Sequence, residues 1–244
     1  AIINDTHFGV RNGSDIFMDY MDKFFTDVFF PYCQKNDIKR ILHMGDFFDH
    51  RKYINIKALK RVDDFFTSRL DEYDMTMDII PGNHDVYYKN TNELNSLEEI
   101  LGGNERIRIH MKPVDVEFDN LSIGMLPWIS HENYDECMEF IQSSKSPIIA
   151  SHLELNGFKM MKGSVVVSHG MDPKLFSRYE MVLSGHYHTK SEEDNIHYLG
   201  TQYELTWADA GDPKHFHILD TNTREVESVK NKHCLFQRIR YNDT

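Results

Sequence analysis

Residues 40–50 run Arg40-Ile41-Leu42-His43-Met44-Gly45-Asp46-Phe47-Phe48-Asp49-His50. A short apolar run stops on a glycine and turns at once into carboxylates and an imidazole. Such a run, bounded by a turn residue, reads as a buried strand that ends in a loop. The same grammar recurs along the chain. Ala1-Ile2-Ile3-Asn4 runs into Asp5-Thr6-His7, and Asp78-Ile79-Ile80-Pro81 into Gly82-Asn83-His84-Asp85. Pro147-Ile148-Ile149-Ala150 runs into Ser151-His152, and Met181-Val182-Leu183-Ser184 into Gly185-His186-Tyr187-His188. In open α/β sheets ligands bind beyond the carboxyl ends of strands. Five strand ends would therefore carry Asp5, His7, Asp46, Asn83, His152, His186 and His188 to one rim.

Around these strands the first half alternates with helical patterns. Ser14 reads as the N-cap of a helix to about residue 30, where Pro31 ends or kinks it. Phe17, Met21, Phe24, Phe25 and Val28 recur at helical spacing on its core face. Further helices are expected over 54–70 and 93–101, the latter stopped by Gly102-Gly103. The second half is richer in strands. Residues 114–118 and 121–126 flank Asp119-Asn120 as a hairpin. A helix is expected over 134–143, and short strands over 196–199, 203–206, 215–219, 225–229 and 235–239. An α/β half followed by a β-rich half predicts two packed mixed sheets with helices outside, an α/β (α+β) fold. No linker divides the chain, so residues 1–244 are expected to form a single domain.

Composition excludes several classes. The 244 residues carry 27 Lys plus Arg against 39 Asp plus Glu, a net charge of −12, with 40% hydrophobic residues. The 16 Phe, 12 Tyr and 12 Met supply too much apolar surface for a disordered chain. No apolar run approaches the roughly 18 residues of a membrane span. No signal-peptide pattern opens the chain, and residues are expected to precede Ala1 because there is no initiator Met. Cys33, Cys137 and Cys234 lie far apart without a Cys-x-x-Cys pair, so a reducing, cytoplasmic setting is expected. The acidic balance argues against a protein that coats DNA. It leaves room for a nucleic-acid enzyme whose positive charge comes from metal ions.

The rim residues have a common chemistry. Carboxylate and amide oxygens mixed with imidazoles suit Mn²⁺, Fe²⁺ or Zn²⁺, not a thiolate site. Seven ligands exceed one tetrahedral ion and suit two ions sharing a carboxylate, the clamp used for in-line displacement at phosphorus. Gly45, Gly82 and Gly185 would let the backbone turn sharply beside them. Isolated, each of these histidines reads as a core or surface residue. In series, each at a strand end, they read as a metal site.

The series Asp-x-His, Gly-Asp-x-x-Asp, Gly-Asn-His-Asp, Ser-His and Gly-His-x-His resembles that of the calcineurin-like metallophosphoesterases. Asp5-Thr6-His7-Phe8-Gly9 and Gly45-Asp46-Phe47-Phe48-Asp49 resemble the SbcD-type DNA nuclease branch of that superfamily. Asp46 to Lys52, Glu154-Leu155-Asn156-Gly157-Phe158, Ser168-His169-Gly170 and Ser184 to Thr189 are similar to its T-even-type bacteriophage members. The resemblance covers essentially the whole chain and implies a four-layer sandwich. It implies Asp5, His7 and His188 on a first ion, Asn83, His152 and His186 on a second, and Asp46 between them. His84 falls at the position of the family's non-ligand catalytic histidine, and Asp49 would orient it by a hydrogen bond. The implied cofactors are two divalent ions, Mn²⁺ foremost and Mg²⁺ as the alternative. The implied activity is a 3′→5′ exonuclease on duplex ends with single-strand endonuclease activity. Implied partners are DNA, an SbcC-like coiled-coil ATPase and a second copy in a homodimer, in a host-cell cytoplasm and away from membranes. Capping and partner-binding segments that such proteins carry further on are not expected before Thr244.

Weaker features remain. Arg51, Lys52 and Lys89 are candidate contacts to the DNA backbone, with a solvated basic loop as the alternative. Tyr87-Tyr88 could stack on a base, but packing is favoured. Phe24-Phe25 and Phe29-Phe30 could form an oligomer face, because the resemblance implies dimerisation at the first helix and the helix over 54–70, and core packing explains them equally well. His215-Phe216-His217 lacks the preceding apolar run and glycine, so surface strand histidines are expected there. His43, His110, His131, His169, His197 and His233 are isolated and expected to be structural or solvent-facing. Two other functions compete: a phosphoprotein or nucleotide phosphatase, and a non-catalytic scaffold. Protein phosphatases carry Asp-Arg-Gly where this chain has Asp49-His50-Arg51, and the complete ligand set disfavours a scaffold.

Overall fold

The computed structural model describes residues 1–160 and 164–239. The strands, in chain order, are β1 (Ile2–Ile3), β2 (Arg40–Met44), β3 (Thr76–Ile80), β4 (Ile107–Ile109), β5 (Val114–Phe118) and β6 (Leu121–Leu126). They continue with β7 (Ile148–Ser151), β8 (Met181–Ser184), β9 (Ser191–Glu193), β10 (Ile196–Tyr198), β11 (His215–Leu219) and β12 (Val226–Lys230). They form two six-stranded sheets, ordered β12-β11-β1-β2-β3-β4 and β5-β6-β7-β8-β10-β9. Strands β1 to β4 run parallel, as do β6, β7, β8 and β10, while β5, β9, β11 and β12 are antiparallel additions.

Alternation along the strands decides the layers, because successive side chains point to opposite faces. Leu42 and Met44 of β2 meet Ile123 and Met125 of β6 and Ile148 and Ala150 of β7 in the core between the sheets. Ile41 of β2 and Met77 and Ile79 of β3 point the other way, into a phenylalanine-rich helical layer. Ile149 and Val182 point outward from the second sheet, onto Cys137 and Ile141. Burying such a side chain contributes about 1.5–3 kcal/mol, so a one-residue slip in either sheet would be strongly opposed.

The helices are α1 (Val10–Gly13), α2 (Asp15–Phe24), α3 (Phe30–Lys35), α4 (Ile56–Val62), α5 (Ser68–Glu72), α6 (Ser96–Leu101) and α7 (Tyr134–Ser143). Ser14 stands at the N-cap of α2 without a side-chain cap bond. The helix does not end at Pro31. A π turn over Phe25–Phe29, closed by Phe30 N–H on Phe25 O, restarts the ladder, and Pro31 falls in the first turn of α3, where its missing N–H is tolerated. A second π turn, Asp63–Thr67, joins α4 to α5. Asn55, whose Oδ1 accepts Lys57 N–H at 2.9 Å and Ala58 N–H at 3.2 Å, starts α4 later than residue 54. Asn95 does the same for α6.

Several expectations are corrected. Of the two readings open for Phe24, Phe25, Phe29 and Phe30, their full burial decides for core packing over an oligomer face. Strands do not form over 203–206 or 235–239. Leu205 and Thr206 donate their N–H groups to the Asp209 carboxylate, and Phe236 N–H donates to Glu204 at 2.9 Å. Buried side-chain carboxylates there take the donors that a neighbouring strand would need. His217 is not a surface residue. It is 1% exposed, donates Nε2–H to Leu199 O at 3.0 Å and accepts from Ser228 Oγ at Nδ1. β4 and β9, three residues each, carry too little periodicity to be read from sequence.

Candidate metal centre

The loops after β1, β2, β3, β7 and β8 converge at one end of the paired sheets. Asp5 N–H bonds Gly45 O at 2.9 Å, His7 N–H bonds Asp46 O at 3.0 Å, and Phe8 N–H bonds Phe47 O at 2.9 Å, which zips the first loop to the second. Phe8 anchors that zip in the core against Phe25, Phe47, Phe65 and Phe66. Asp5, His7, Asp46 and His186 have φ values of 49°, 43°, 55° and 82°. A left-handed backbone costs about 1–2 kcal/mol for an ordinary residue. Strain gathered at four neighbouring polar residues is a mark of function.

Two candidate ligand groups result, beside a third cluster of His7, Asp49 and His84. Single atoms of Asp5, His7 and His188 lie within 4.8 Å of one another, as do single atoms of Asp46, His152 and His186. Asn83 Oδ1 joins the second group, 3.2 Å from His152 Nε2. Asp46 Oδ2 lies between the groups, 3.6 Å from His7 Nε2 and 3.3 Å from His152 Nε2. Oδ2 of Asp5 accepts Asn4 Nδ2 at 2.6 Å and His186 N–H at 2.9 Å. Its Oδ1 is buried without a hydrogen-bond partner among the described residues, as are His7 Nε2 and His186 Nε2. Buried polar atoms left unpaired are rare. Unpaired carboxylate and imidazole atoms aimed at one point are the donor set of a divalent cation, so these residues fit a pair of such ions.

Close approach explains the glycines. A Cβ on Gly82 would meet Asp46 Oδ1 at 2.3 Å, and one on Gly185 would meet Asp5 Oδ2 at 2.8 Å. His152 Nδ1 donates to Met44 O at 2.7 Å, which turns Nε2 to the centre.

The carboxylates and imidazoles perturb one another strongly. Burial alone would raise the Asp5 and Asp46 carboxyls, but His152 and the other imidazoles outweigh it and hold both below the usual carboxylate range. Burial opposes charge on His152, yet Asp46 and Asp5 bring it up to about 9, and the carboxylates of Asp49, Asp5 and Asp46 likewise raise His7. Burial and the neighbouring His152 push His186 down to about 3, and burial takes His188 to about 4.

His84 lies against the first group, its ring 4.8 Å from that of His7. The expected contact from the Asp49 carboxylate is corrected. His84 Nδ1 donates to the backbone carbonyl of Asp49 at 2.6 Å, while the Asp49 carboxylate sits 3.4 Å from His7 Nδ1 and 3.4 Å from His50 Nε2. The turn after Asp46 points the Asp49 carbonyl at His84 and leaves its carboxylate facing His7 and His50. Lys52 and Lys89 are exposed and Arg51 half-buried, and Lys52 Nζ lies 5.6 Å from the Tyr87 ring centre. Tyr88 is 51% exposed.

Two contributors escaped the sequence. Buried Lys214 donates to His188 O at 2.9 Å and to Asp209 Oδ1 at 2.8 Å, pinning the His188 backbone. Its only local signal was Thr206-x-x-Asp209, which forms a capping box. Trp128 places its ring 5.5 Å from His186 and 6.0 Å from His152. It follows β6 with no polar motif to mark it.

The sequence profile of the calcineurin-like phosphoesterases matches residues 1–221. Exonuclease subunit 1 of Enterobacteria phage T4 is 38% identical over 210 residues, which is 86% of this chain and 61% of that protein. The chain thus spans about three fifths of that relative's length. Among solved structures, an archaeal phosphodiesterase is 18% identical, with a TM-score of 0.44 over 94% of this chain and 98% of its own. No helix among the described residues is long and apolar enough to cross a membrane.

Proposed function

This chain belongs to the calcineurin-like phosphoesterases, and on that premise we propose that it is the catalytic domain of a two-metal DNA nuclease. The observation that carries the reading is the pair of ligand-type groups with the Asp46 carboxylate lying between them, and with buried Asp5, His7 and His186 atoms unpaired at their centre. The relative named as an exonuclease subunit favours DNA over other phosphodiesters. Asp5, His7 and His188 would hold one ion, Asn83, His152 and His186 the other, and Asp46 both. Ions so held supply Lewis acidity, activating water and neutralising the phosphoryl oxygens.

The chain's own residues do the rest. His84 donates Nδ1–H to the Asp49 carbonyl, which fixes the ring. As the imidazolium it would carry a second proton at Nε2, give that proton to the leaving 3′-oxygen and be left neutral. The Asp49 carboxylate, 3.4 Å from Nδ1 of His7, would steady that ring as it holds an ion. Arg51, Lys52 and Lys89 would meet the DNA backbone without reading bases. The activity is a 3′→5′ exonuclease with single-strand endonuclease action, with Mn²⁺ as the working ion and Mg²⁺ the alternative. It works beside an SbcC-like ATPase in a host-cell cytoplasm. A homodimer would use the exposed Ile16 of α2 and Ile56 of α4, since the phenylalanines beneath are core.

The test is end-labelled duplex and single-stranded DNA incubated with Mn²⁺, Mg²⁺ or chelator, beside a His84→Ser control. Metal-dependent cleavage lost in the control supports the reading. Cleavage that survives the chelator, or turnover of a phosphomonoester with none of DNA, would overturn it.

A further inference from the structure

A cavity of about 410 Å³ opens beside the second ligand group, with His152 as one wall and Trp128, Tyr134, Leu153 and Met171 among the others. Its volume falls in the range of small-molecule sites, roughly 300–1,000 Å³. Trp128 stands next to the His152 and His186 rings, so a group attached to a phosphate at those ligands would arrive at its indole.

The indole is carried on a fixed backbone. Trp128 N–H donates to Pro81 O at 2.9 Å, and its carbonyl accepts from Asn92 Nδ2 at 2.7 Å and Asn133 Nδ2 at 3.0 Å. Pro81 leads directly into Gly82-Asn83. The wall that would stack a ring is thus tied to the loop that presents a ligand.

The lining discriminates between occupants. Aromatic and aliphatic walls suit a flat, uncharged ring. The carboxylates of Asp135 and Glu154, also in the lining, oppose a second phosphate. Ser130 directs both its N–H and its hydroxyl to Asn133 Oδ1, at 2.7 and 3.3 Å, and so offers little to a base edge.

We infer that this cavity is a nucleobase subsite, in which the base of the nucleotide being cleaved stacks on Trp128. The inference rests on the phosphodiesterase reading of the adjoining centre. Every base has a stacking face, so the subsite tolerates any sequence. A base lodged there has left its helix, so the nucleotide at the centre is unpaired and a duplex end must fray to reach it. Stacking on one aromatic ring contributes about ten- to a hundredfold in affinity.

The chain has 2 Trp, and the other, Trp207, packs at a tilt against Phe236, ring centres 4.6 Å apart. Trp207→Phe keeps an aromatic ring against Phe236 and leaves Trp128 as the sole indole. The Mg²⁺-loaded Trp207→Phe protein is titrated with thymidine 5′-monophosphate, deoxyribose 5-phosphate and phenyl phosphate, following indole fluorescence. Saturable quenching by the nucleotide, with the sugar phosphate at least about tenfold weaker, is expected. Calorimetry on Trp128→Ala and Trp128→Phe in the otherwise unaltered protein should show nucleotide binding lost in the first and kept in the second. No quenching by the nucleotide, or equal responses to nucleotide and sugar phosphate, would overturn the subsite. Phenyl phosphate binding as tightly as the nucleotide would reassign it to a general aromatic ester. These readouts follow binding, so a protein that fails to cut DNA would refute the nuclease reading and still report on the cavity.

Discussion

Asp46 Oδ1 accepts the backbone N–H of His84 at 2.7 Å, while its Oδ2 faces His7 and His152. One carboxylate at the end of β2 therefore positions both ligand groups and the backbone of the residue read as proton donor. The loop after β3 is held to the loop after β2 through the side chain that the ions would share.

Asp46→Ala should therefore lose two things and Asp46→Asn one. Asn keeps an acceptor for His84 N–H but loses the charge, and Ala loses both. Ligand binding at a hundred times Kd adds about 2.7 kcal/mol to stability. The wild type should show a clear Mn²⁺-induced rise in Tm and both variants almost none. Backbone amide exchange at His84 should quicken only in Asp46→Ala. A full Mn²⁺ response in Asp46→Ala would remove Asp46 from the centre.

Asp49 and His84 should separate in kinetics. Because the Asp49 carboxylate faces His7 and only its carbonyl faces His84, Asp49→Asn should act on metal binding. Loss of such a supporting contact lowers metal affinity about 10–100-fold. Saturating Mn²⁺ should then restore most activity. His84→Gln should leave the metal-induced Tm rise intact and lower kcat by about 10²–10⁴. The opposite pattern, rescue of His84→Gln but not Asp49→Asn by metal, would mean that the carboxylate orients the acid after all.

Gly82→Ala tests the close approach directly. The added methyl would fall 2.4 Å from Asp46 N as well as on its carboxylate, and backbone cannot swing aside as a side chain tip can. Activity and metal-induced stabilisation should fall to background while the far-ultraviolet dichroism stays native. Gly103→Ala, whose Cβ would meet nothing within 4 Å, is the control and should change neither. An active Gly82→Ala would show that the two loops can part.

The strand ends were legible because each is a local event: an apolar run, a turn residue, then polar side chains. Asp5, Asp46, Asn83, His152, His186 and His188 all stand at such ends, and the parallel order of β1, β2, β3, β7 and β8 brings them together. What failed was whatever depends on partners distant in sequence. The π turn that carries α2 past Pro31 and the one that joins α4 to α5 pack on each other through Phe25, Phe65 and Phe66, which no helical period encodes. Residues 203–206 have strand-like composition, but the buried carboxylates of Glu204 and Asp209 take up the neighbouring N–H groups. His217 looked exposed because its burial comes from Leu199 and Ser228. Nor could sequence distinguish which group of Asp49 would meet His84.

His217 should make the protein acid-sensitive. Burial is the first cause that lowers it, to about 4 from 6.5. Above pH 6.5 both folded and unfolded forms are neutral there, and the group adds no pH dependence. As pH falls from 6.5 towards 4, the unfolded chain binds a proton that the folded one refuses, so stability declines by about 1.4 kcal/mol per pH unit. The loss is complete below the folded value and on the order of 3 kcal/mol. His217→Gln can still donate to Leu199 O but cannot titrate. Urea unfolding at pH 7.5, 6 and 5 should find the variant less stable at the highest pH and the gap closing by about 2 kcal/mol at the lowest. A gap that stays constant across these values would mean that His217 titrates alike in both states, and that its burial does not oppose the proton.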